Sequence, residues 1–347
     1  MDIKQNCDIE MIINIQKKMV PEITETFVQR YNLLRLIHYY QPIGRRNLAN
    51  FMGMGERVIR GEVGILKEQN LIEIKAEGMN TTGLGENTLE KTRMFIHWFK
   101  GLKDIEEQVK DKLQIKEVFV IPEFERDPEL VIREVGRVTS IYLKSILKQN
   151  AVVGITGGHT MAMVAEEMTD EQLKISNVTV VPGRGGLGRE VEKQANTIAA
   201  KLAHKLKGTY KLLHMPDNIS KDILKSLLQD PNVKEAVDCI ENIEILVFGI
   251  GRADKLAARR GLDKGKIEEL LKQYAVAEAF GYYFDKSGRI VQEVDTVGVS
   301  LEHYKKLKHV IAAAAGAEKA EAIMAISELN KNLVLVIDES LAKKLTK

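Results

Sequence analysis

Between Ile12 and about Met79 the apolar residues recur mostly at helical spacing, whereas from Glu117 onward short apolar strands alternate with longer amphipathic stretches. The first region predicts a helix over Tyr31–Tyr40, stopped at Gln41-Pro42 because the residue before a proline avoids helical geometry. A second helix is predicted over Gly44–Met52, then a break at Gly53-Met54-Gly55. A third follows over Glu56–Gln69, with Val58, Ile59, Val63 and Leu66 read as its apolar face. Leu71–Lys75 and Met79–Thr81, on either side of a turn at 76–78, read as a hairpin. Helix, helix, glycine-bearing turn, helix, hairpin is the order of a winged helix-turn-helix, which sets a first domain at 1–85.

Residues 86–115 form a long helical pattern carrying Leu89, Ile96, Trp98, Phe99, Leu102, Ile105, Val109 and Leu113, with no proline and one glycine, Gly101. So much apolar surface between two domains reads as a linker and dimer-forming helix; the alternative is a first helix of the larger domain. The strands expected beyond it are Val118–Ile121, Val152–Ile155, Val178–Val181, Tyr210–Leu213, Ile245–Phe248, His309–Ala313 and Val334–Ile337. Their alternation with helices argues for a Rossmann-like, mostly parallel sheet over 116–347, so the fold class is α/β.

Composition narrows the class. With 44% hydrophobic and 29% charged residues the 347-residue chain can bury a sizeable core. Two cysteines, Cys7 and Cys239, make no disulfide framework and suit a reducing cytoplasm. No apolar run is long enough to span a bilayer, so a cytoplasmic protein without membrane attachment is expected. The net charge of +2 excludes a uniformly basic coat, and any DNA binding must come from local clustering.

Such a cluster exists. Arg35, Arg45, Arg46, Arg57 and Arg60 gather near the expected turn, with Glu56 opening the third helix. Arg57 and Arg60 lie three apart on neighbouring positions of one helix, where guanidinium groups reach phosphates or guanine edges. The bland alternative is a solvated charged face. The coincidence of the charges with the helix-turn-helix pattern favours operator double-stranded DNA as a partner.

In the larger region, Val152-Val-Gly-Ile-Thr-Gly-Gly-His-Thr160 runs from a strand through glycines into a helix expected near Met161. Thr156, Gly157, Gly158, His159, Thr160 and Met161 are therefore candidates to cradle a phosphate at a helix N-terminus, against the alternative of a tight unliganded connection. The next strand ends in Pro182-Gly-Arg-Gly-Gly-Leu-Gly188, which adds Arg184, and Gln194, Asn196 and Thr197 follow as hydrogen-bonding candidates. Loops at the carboxyl ends of adjacent parallel strands face one crevice. A third strand end, Val247-Phe-Gly-Ile-Gly251, leads to Arg252, Arg259 and Arg260. Arg259 is the candidate counter-charge for a second anion, and pairing of these arginines with Asp263 or Glu268 is the alternative. Glu278 sits among apolar residues and needs a partner there, unless it is a half-exposed glutamate at a helix end. Lys319 stands at a helix start, where a cation is disfavoured unless it meets an anion.

Together, Pro42-Ile-Gly-Arg-Arg46, Glu56–Val63, Thr156-Gly-Gly158, Pro182–Gly188, Gln194-Ala-Asn-Thr197, Gly249-Ile-Gly251, Glu278–Phe284 and Lys319–Ile323 resemble the SorC family of sugar-responsive bacterial transcription regulators. The resemblance covers nearly the whole chain. It implies an effector domain with the fold of sugar-phosphate isomerases and deaminases but no catalytic residues. It further implies a repressor of a glycolytic operon, glyceraldehyde-3-phosphate dehydrogenase and following genes, released by fructose 1,6-bisphosphate. The implied effector contacts include Gly158, His159, Thr160, Met161, Arg184, Gln194, Arg259, Glu278 and Lys319. The chain departs from the family pattern at His159, where a small hydroxyl residue is usual, and at Ala315–Glu318, where a Gly-Gly loop with hydroxyl residues is usual. No cofactor or metal is expected, and the partners are operator DNA, a phosphosugar and a second copy of the chain, as a dimer or a tetramer on DNA. The rival reading is a sugar-phosphate isomerase or deaminase with an accessory basic module. Its acid and base would have to be Glu278 and His159, with nothing to orient them.

Overall fold

The computed structural model describes residues 11, 15–16, 18–124, 126–169, 176–187, 190–216 and 220–347, with only the backbone of Lys221 and Leu224. Cys7, Gly188 and the start of the first helical pattern at Ile12 lie outside the described residues. The chain divides into two units, residues 1–103 with 122–130, and residues 104–121 with 131–347.

In the first unit, α1 (Pro21–Tyr40) begins ten residues earlier than the sequence pattern suggested, with Pro21 at its first turn, where a missing N–H costs nothing. Next come α2 (Arg45–Met52) and α3 (Glu56–Glu68), joined by a turn whose Gly53 caps α2. The buried face of α3 is Ile59, Val63 and Leu66; Val58, expected among them, is exposed. The hairpin of β1 (Ile72–Ile74) and β2 (Met79–Thr81) pairs Ile72 with Thr81, and Ile43 bridges Met79 to extend it. This is the expected winged helix-turn-helix. Arg35 is not part of its charged surface: it is buried on α1, its guanidinium 5.6 Å from the Tyr31 ring and 5.3 Å from the Phe124 ring. An arginine with an apolar stem and a flat cation can be buried between aromatic faces.

The stretch expected as one linker helix is two. α4 (Gly83–Phe99) and α5 (Leu102–Leu113) are separated at Gly101, whose φ of +65° is a left-handed conformation that ends a helix and that glycine adopts without a Cβ penalty. Leu89, Ile96 and Phe99 of α4 are buried in the first unit, Phe95 meets Phe27 of α1 edge-on, and the division between units falls at Lys103/Asp104.

The second unit is built on seven strands: β3 (Glu117–Ile121), β4 (Val152–Ile155), β5 (Thr179–Pro182), β6 (Thr209–Tyr210), β7 (Ile245–Gly249), β12 (His309–Ala314) and β13 (Leu333–Asp338). They are ordered β3-β13-β12-β7-β4-β5-β6, and every pair is parallel. All seven expected strands are present, though the one expected over Tyr210–Leu213 is only Thr209–Tyr210. The helices are α6 (Pro128–Ile146), whose first three residues count with the first unit, α7 (His159–Glu167), α8 (Ala195–Lys205), α9 (Lys221–Leu227), α10 (Pro231–Glu241), α11 (Ala253–Arg259), α12 (Lys264–Lys272), α13 (Leu301–Lys306), α14 (Ala320–Ser327) and α15 (Glu339–Thr346). Successive strands step outward from β4 in one direction and from β7 in the other, so the strand order reverses between them. An open parallel sheet leaves a crevice there, outside the carboxyl ends.

A second sheet escaped the sequence pattern. β8 (Gly251–Arg252), β9 (Ala277–Ala279), β10 (Tyr282–Phe284) and β11 (Ile290–Glu293) pair antiparallel in the order β11-β10-β9-β8. Tyr283 packs there with Ala253, Ala257, Leu270 and Ala275 in a small core of its own. The segment around Glu278, for which a helix end was the alternative, is thus a hairpin.

Within the first unit the segment 122–130 is held by Asp127, which is buried, accepts from the Tyr40 hydroxyl at 2.7 Å and caps the Leu130 amide at 3.2 Å. Asp127→Ala strips both donors of their acceptor and should lower stability by roughly 1 to 3 kcal/mol. The check is the midpoint of urea unfolding, and an unchanged midpoint would mean that water replaces the carboxylate.

Candidate functional site

In the second unit, one cavity of about 370 Å³ lies at the switch point between β4 and β7. Twelve of the residues singled out from the sequence line it: Thr156, Gly157, Gly158, His159, Thr160, Met161, Arg184, Gln194, Gly251, Arg259, Glu278 and Lys319. Asn196 and Thr197 do not. Asn196 braces the backbone instead, exchanging hydrogen bonds with Leu213 at 2.9 and 3.0 Å.

One wall is the turn from β4 into α7, which starts at His159, two residues before the expected Met161. The Gly158 amide donates to the Lys193 carbonyl at 2.9 Å, and a Cβ on Gly157 would stand 2.7 Å from that same oxygen, so a larger residue would push the two chains apart. Gly158 caps α7 with a φ of +118°. The first helical bond is from Ala162 to Gly158, so the amides of the opening turn are left without an intrahelical acceptor beside the cavity. Thr156 fixes the opposite strand by accepting from the Gly249 amide at 3.2 Å.

The glycine-rich loop after β5 forms the next wall. Gly183 donates to Ile155 at 2.7 Å and Gly185 to Val297 at 2.7 Å, which carries Arg184 past Gly298. Gln194 clasps this loop, accepting from the Leu187 amide and donating to its carbonyl, both at 3.2 Å. Its side chain therefore shapes the cavity wall.

Charge inside the cavity is strongly one-sided. Arg184, Lys193, Arg252, Lys255, Arg259 and Lys319 line it, against Glu278 and an exposed Glu318. Lys193 and Lys255 were not picked out from the sequence, which named Arg252 only on the way to Arg259 and Arg260. Lys193 pairs with Glu190 and Arg252 with Asp254. Among the described residues Lys255, Arg259 and Lys319 form no ion pair. The Lys319 amine is pulled below the usual lysine range, chiefly because it is withdrawn from water, against the opposing pull of Glu318 and Asp338. Asp338 also holds the loop after β12, accepting from the Gly316 amide at 2.8 Å.

Glu278 has the arginine partner that its burial calls for. Its Oε1 accepts from Arg260 at 2.8 Å and its Oε2 from Arg184 at 3.4 Å, with the Glu278 and Arg260 side chains 0% and 1% exposed. Consecutive arginines thus diverge: Arg259 lines the cavity, and Arg260 turns into the protein behind it. Asp263 instead caps α12 by accepting from the Lys266 amide at 3.0 Å.

In the first unit, Arg45, Arg46, Glu56, Arg57 and Arg60 are all exposed around the turn between α2 and α3. Arg46 and Glu56 form a loose pair at 3.4 Å, while Arg45, Arg57 and Arg60 have no ion-pair partner among the described residues. Among the described residues no helix is long and apolar enough to cross a membrane.

Comparison with known proteins adds to this geometry. Residues 97–347 match the sugar-binding domain family, and residues 26–96 match the CggR N-terminal DNA binding domain. The chain is 41% identical over 338 residues to the central glycolytic genes regulator of Priestia megaterium, covering 97% of this chain and 98% of that protein. It is 39% identical over 337 residues to the protein of the same name from Bacillus subtilis, covering 97% and 99%. Among solved structures, a protein of Enterococcus faecalis assigned to the SorC family of transcriptional regulators matches with a TM-score of 0.65 at 34% identity, over 70% of this chain and 100% of that one. The full-length sorbitol operon regulator SorC of Klebsiella pneumoniae shares the fold, with a TM-score of 0.65 at 18% identity over 92% and 98% of the two chains.

The burial of the Lys319 amine predicts a pH dependence. That amine binds a proton less readily in the folded chain than in the unfolded one, so folding is penalised below the folded pKa and the penalty disappears as pH rises toward 10.5. Lys319→Met should therefore raise the thermal midpoint at neutral pH, and the advantage over the parent should shrink in alkaline buffer. A variant less stable than the parent at pH 7 would show that the Glu318 and Asp338 charges outweigh burial.

Proposed function

This chain belongs to the SorC family of sugar-binding transcriptional regulators, and from that premise we propose that it is a repressor released from its operator by fructose 1,6-bisphosphate. The observation that carries the reading is the cavity itself. A helix N-terminus with open amides stands on one side, and Arg184, Arg259 and Lys319 stand in the same space. Such a cavity has two places for anions, and its size suits one small hydroxylated ligand.

In this reading one phosphate sits against Thr156–Met161 at the start of α7. The other meets Arg184, Arg259 and Lys319, and Glu278 accepts from a sugar hydroxyl. Gly251 allows close approach of the backbone, and Gln194 keeps the glycine-rich loop in place. His159 and Glu318 are this chain's own variations on the two phosphate ends. No cofactor or metal takes part. The regulated genes are those of glyceraldehyde-3-phosphate dehydrogenase and the enzymes that follow it, a reading supported by the relatives named for central glycolytic genes. The repressor acts in the cytoplasm as a homo-oligomer, a dimer or a tetramer on DNA. Binding of the sugar and of the operator must oppose each other equally, because coupling between two sites is reciprocal.

The enzyme alternative loses its base. Both oxygens of Glu278 are engaged by guanidinium groups. A carboxylate held in this way accepts hydrogen bonds well but is poorly placed to carry a proton between substrate atoms.

Two ends for two anions predict that fructose 1,6-bisphosphate binds more tightly than fructose 6-phosphate. Loss of one charge-assisted end is worth roughly 1.5 to 3 kcal/mol, at least about tenfold in Kd. Arg259→Ala should narrow the gap. Calorimetric titration of both sugars decides it, and equal affinities in the parent would show a single phosphate site.

For the operator, α3 carries the exposed Arg57 and Arg60. Arg57→Ala or Arg60→Ala should weaken binding: by roughly 1 to 3 kcal/mol in discrimination if the residue reads a guanine, or with a shallower salt dependence if it meets a phosphate. Fluorescence anisotropy over a salt series separates the two, and unchanged affinity in both variants would remove α3 from the interface.

A further inference from the structure

Glu278 is fully buried, yet it lines the crevice, and its two arginines are unequal. Arg260 holds Oε1 at 2.8 Å, an ordinary length for a charge-assisted bond, and is itself outside the cavity lining. Arg184 reaches Oε2 only at 3.4 Å, is 18% exposed and lines the cavity. A carboxylate out of water is costly unless a counter-charge pairs it. Arg260 supplies it at the shorter distance, and Arg184 makes the longer contact from the cavity side. Tyr283, opposite Glu278 in the β9–β10 pairing, lies beside the same Arg260 guanidinium; burial pushes its phenol up to about 12, so it stays neutral and does not compete for that cation as an anion.

We infer that Arg260 is a positioning residue for the effector: it holds Glu278 in place while Arg184 leaves the carboxylate for the ligand's phosphate and the vacated oxygen takes a ligand hydroxyl. The inference rests on the sugar-phosphate reading above. It narrows the ligand class to phosphate esters that also carry a free hydroxyl near the phosphate, because transfer of Arg184 leaves an acceptor that needs a donor. Without Arg260, Glu278 would draw Arg184 to itself, and phosphate would have to compete for it.

The test is a double-mutant cycle on fructose 1,6-bisphosphate binding by the full chain, with the parent, Arg260→Met, Glu278→Gln and the double variant titrated by calorimetry. Each single change is expected to weaken binding about tenfold or more. The double variant should be no more than about threefold weaker than the weaker single, since Arg260 acts only through the Glu278 charge. A purely structural role would instead make the losses multiply, to about a hundredfold, and would overturn the inference. If Arg260→Met fails to fold, Arg260→Gln removes the charge and keeps a hydrogen-bond donor. It should weaken binding where Glu278 is present and change nothing when added to the Glu278→Gln variant; an equal loss in both backgrounds overturns the inference as well. Absence of any binding by the parent would overturn the sugar-phosphate reading itself, whereas binding with multiplying losses would overturn the role of Arg260 alone.

Discussion

Parallel pairing of β4 with β7 is the constraint on which the second unit depends. Strands that run parallel must be joined by crossovers, so every carboxyl end in this sheet lies along one edge. Because the order reverses between β4 and β7, the connections leaving Ile155 and Gly249 diverge there. The cavity opens where they part, and the glycine turns bring backbone amides to its edge. The small antiparallel sheet then delivers Glu278, while the short helix α11 delivers Arg259 and Arg260 from the segment that follows β7.

Burial of charge organises what the sheet leaves open. A carboxylate out of water is costly unless paired, and Glu278 is paired from behind by a guanidinium that never meets the cavity. Lys319 is the opposite case, an amine withdrawn from water without an ion pair among the described residues, and its depressed proton affinity is the sign of that cost. Strain of this kind persists where a ligand relieves it. The cavity is thus a cationic space with one anchored acceptor.

The DNA-binding unit follows different physics. Its core is made by the inward faces of α1, α3 and α4, and its arginines at 45, 57 and 60 are left in solvent with no ion pair among the described residues. Exposed cations near a helix-turn-helix gain from phosphate contact by releasing counterions, which gives affinity before any base is read. Segment 122–130 belongs to this unit although it lies in sequence between β3 and most of α6, so the two units are interleaved along the chain.

Local pattern by itself determined a good deal of this protein. Hydrophobic periodicity is strong in α2, α3 and the seven parallel strands, and glycines at strand ends mark close approach wherever they occur, so the winged helix-turn-helix, the parallel sheet and twelve of the residues that line the cavity were legible. Tertiary structure alone decided the rest. β8 and β11 carry Gly251, Arg252, Gln292 and Glu293 where an apolar run would mark a strand, so the small sheet was invisible. Gly101 breaks a helix whose apolar pattern runs on without interruption. Arg35, Arg259 and Arg260 are chemically identical in sequence, yet one is buried between aromatic rings, one lines the cavity and one neutralises Glu278. Which of these an arginine becomes depends on what lies beyond its own helix, and that is settled only when distant segments pack.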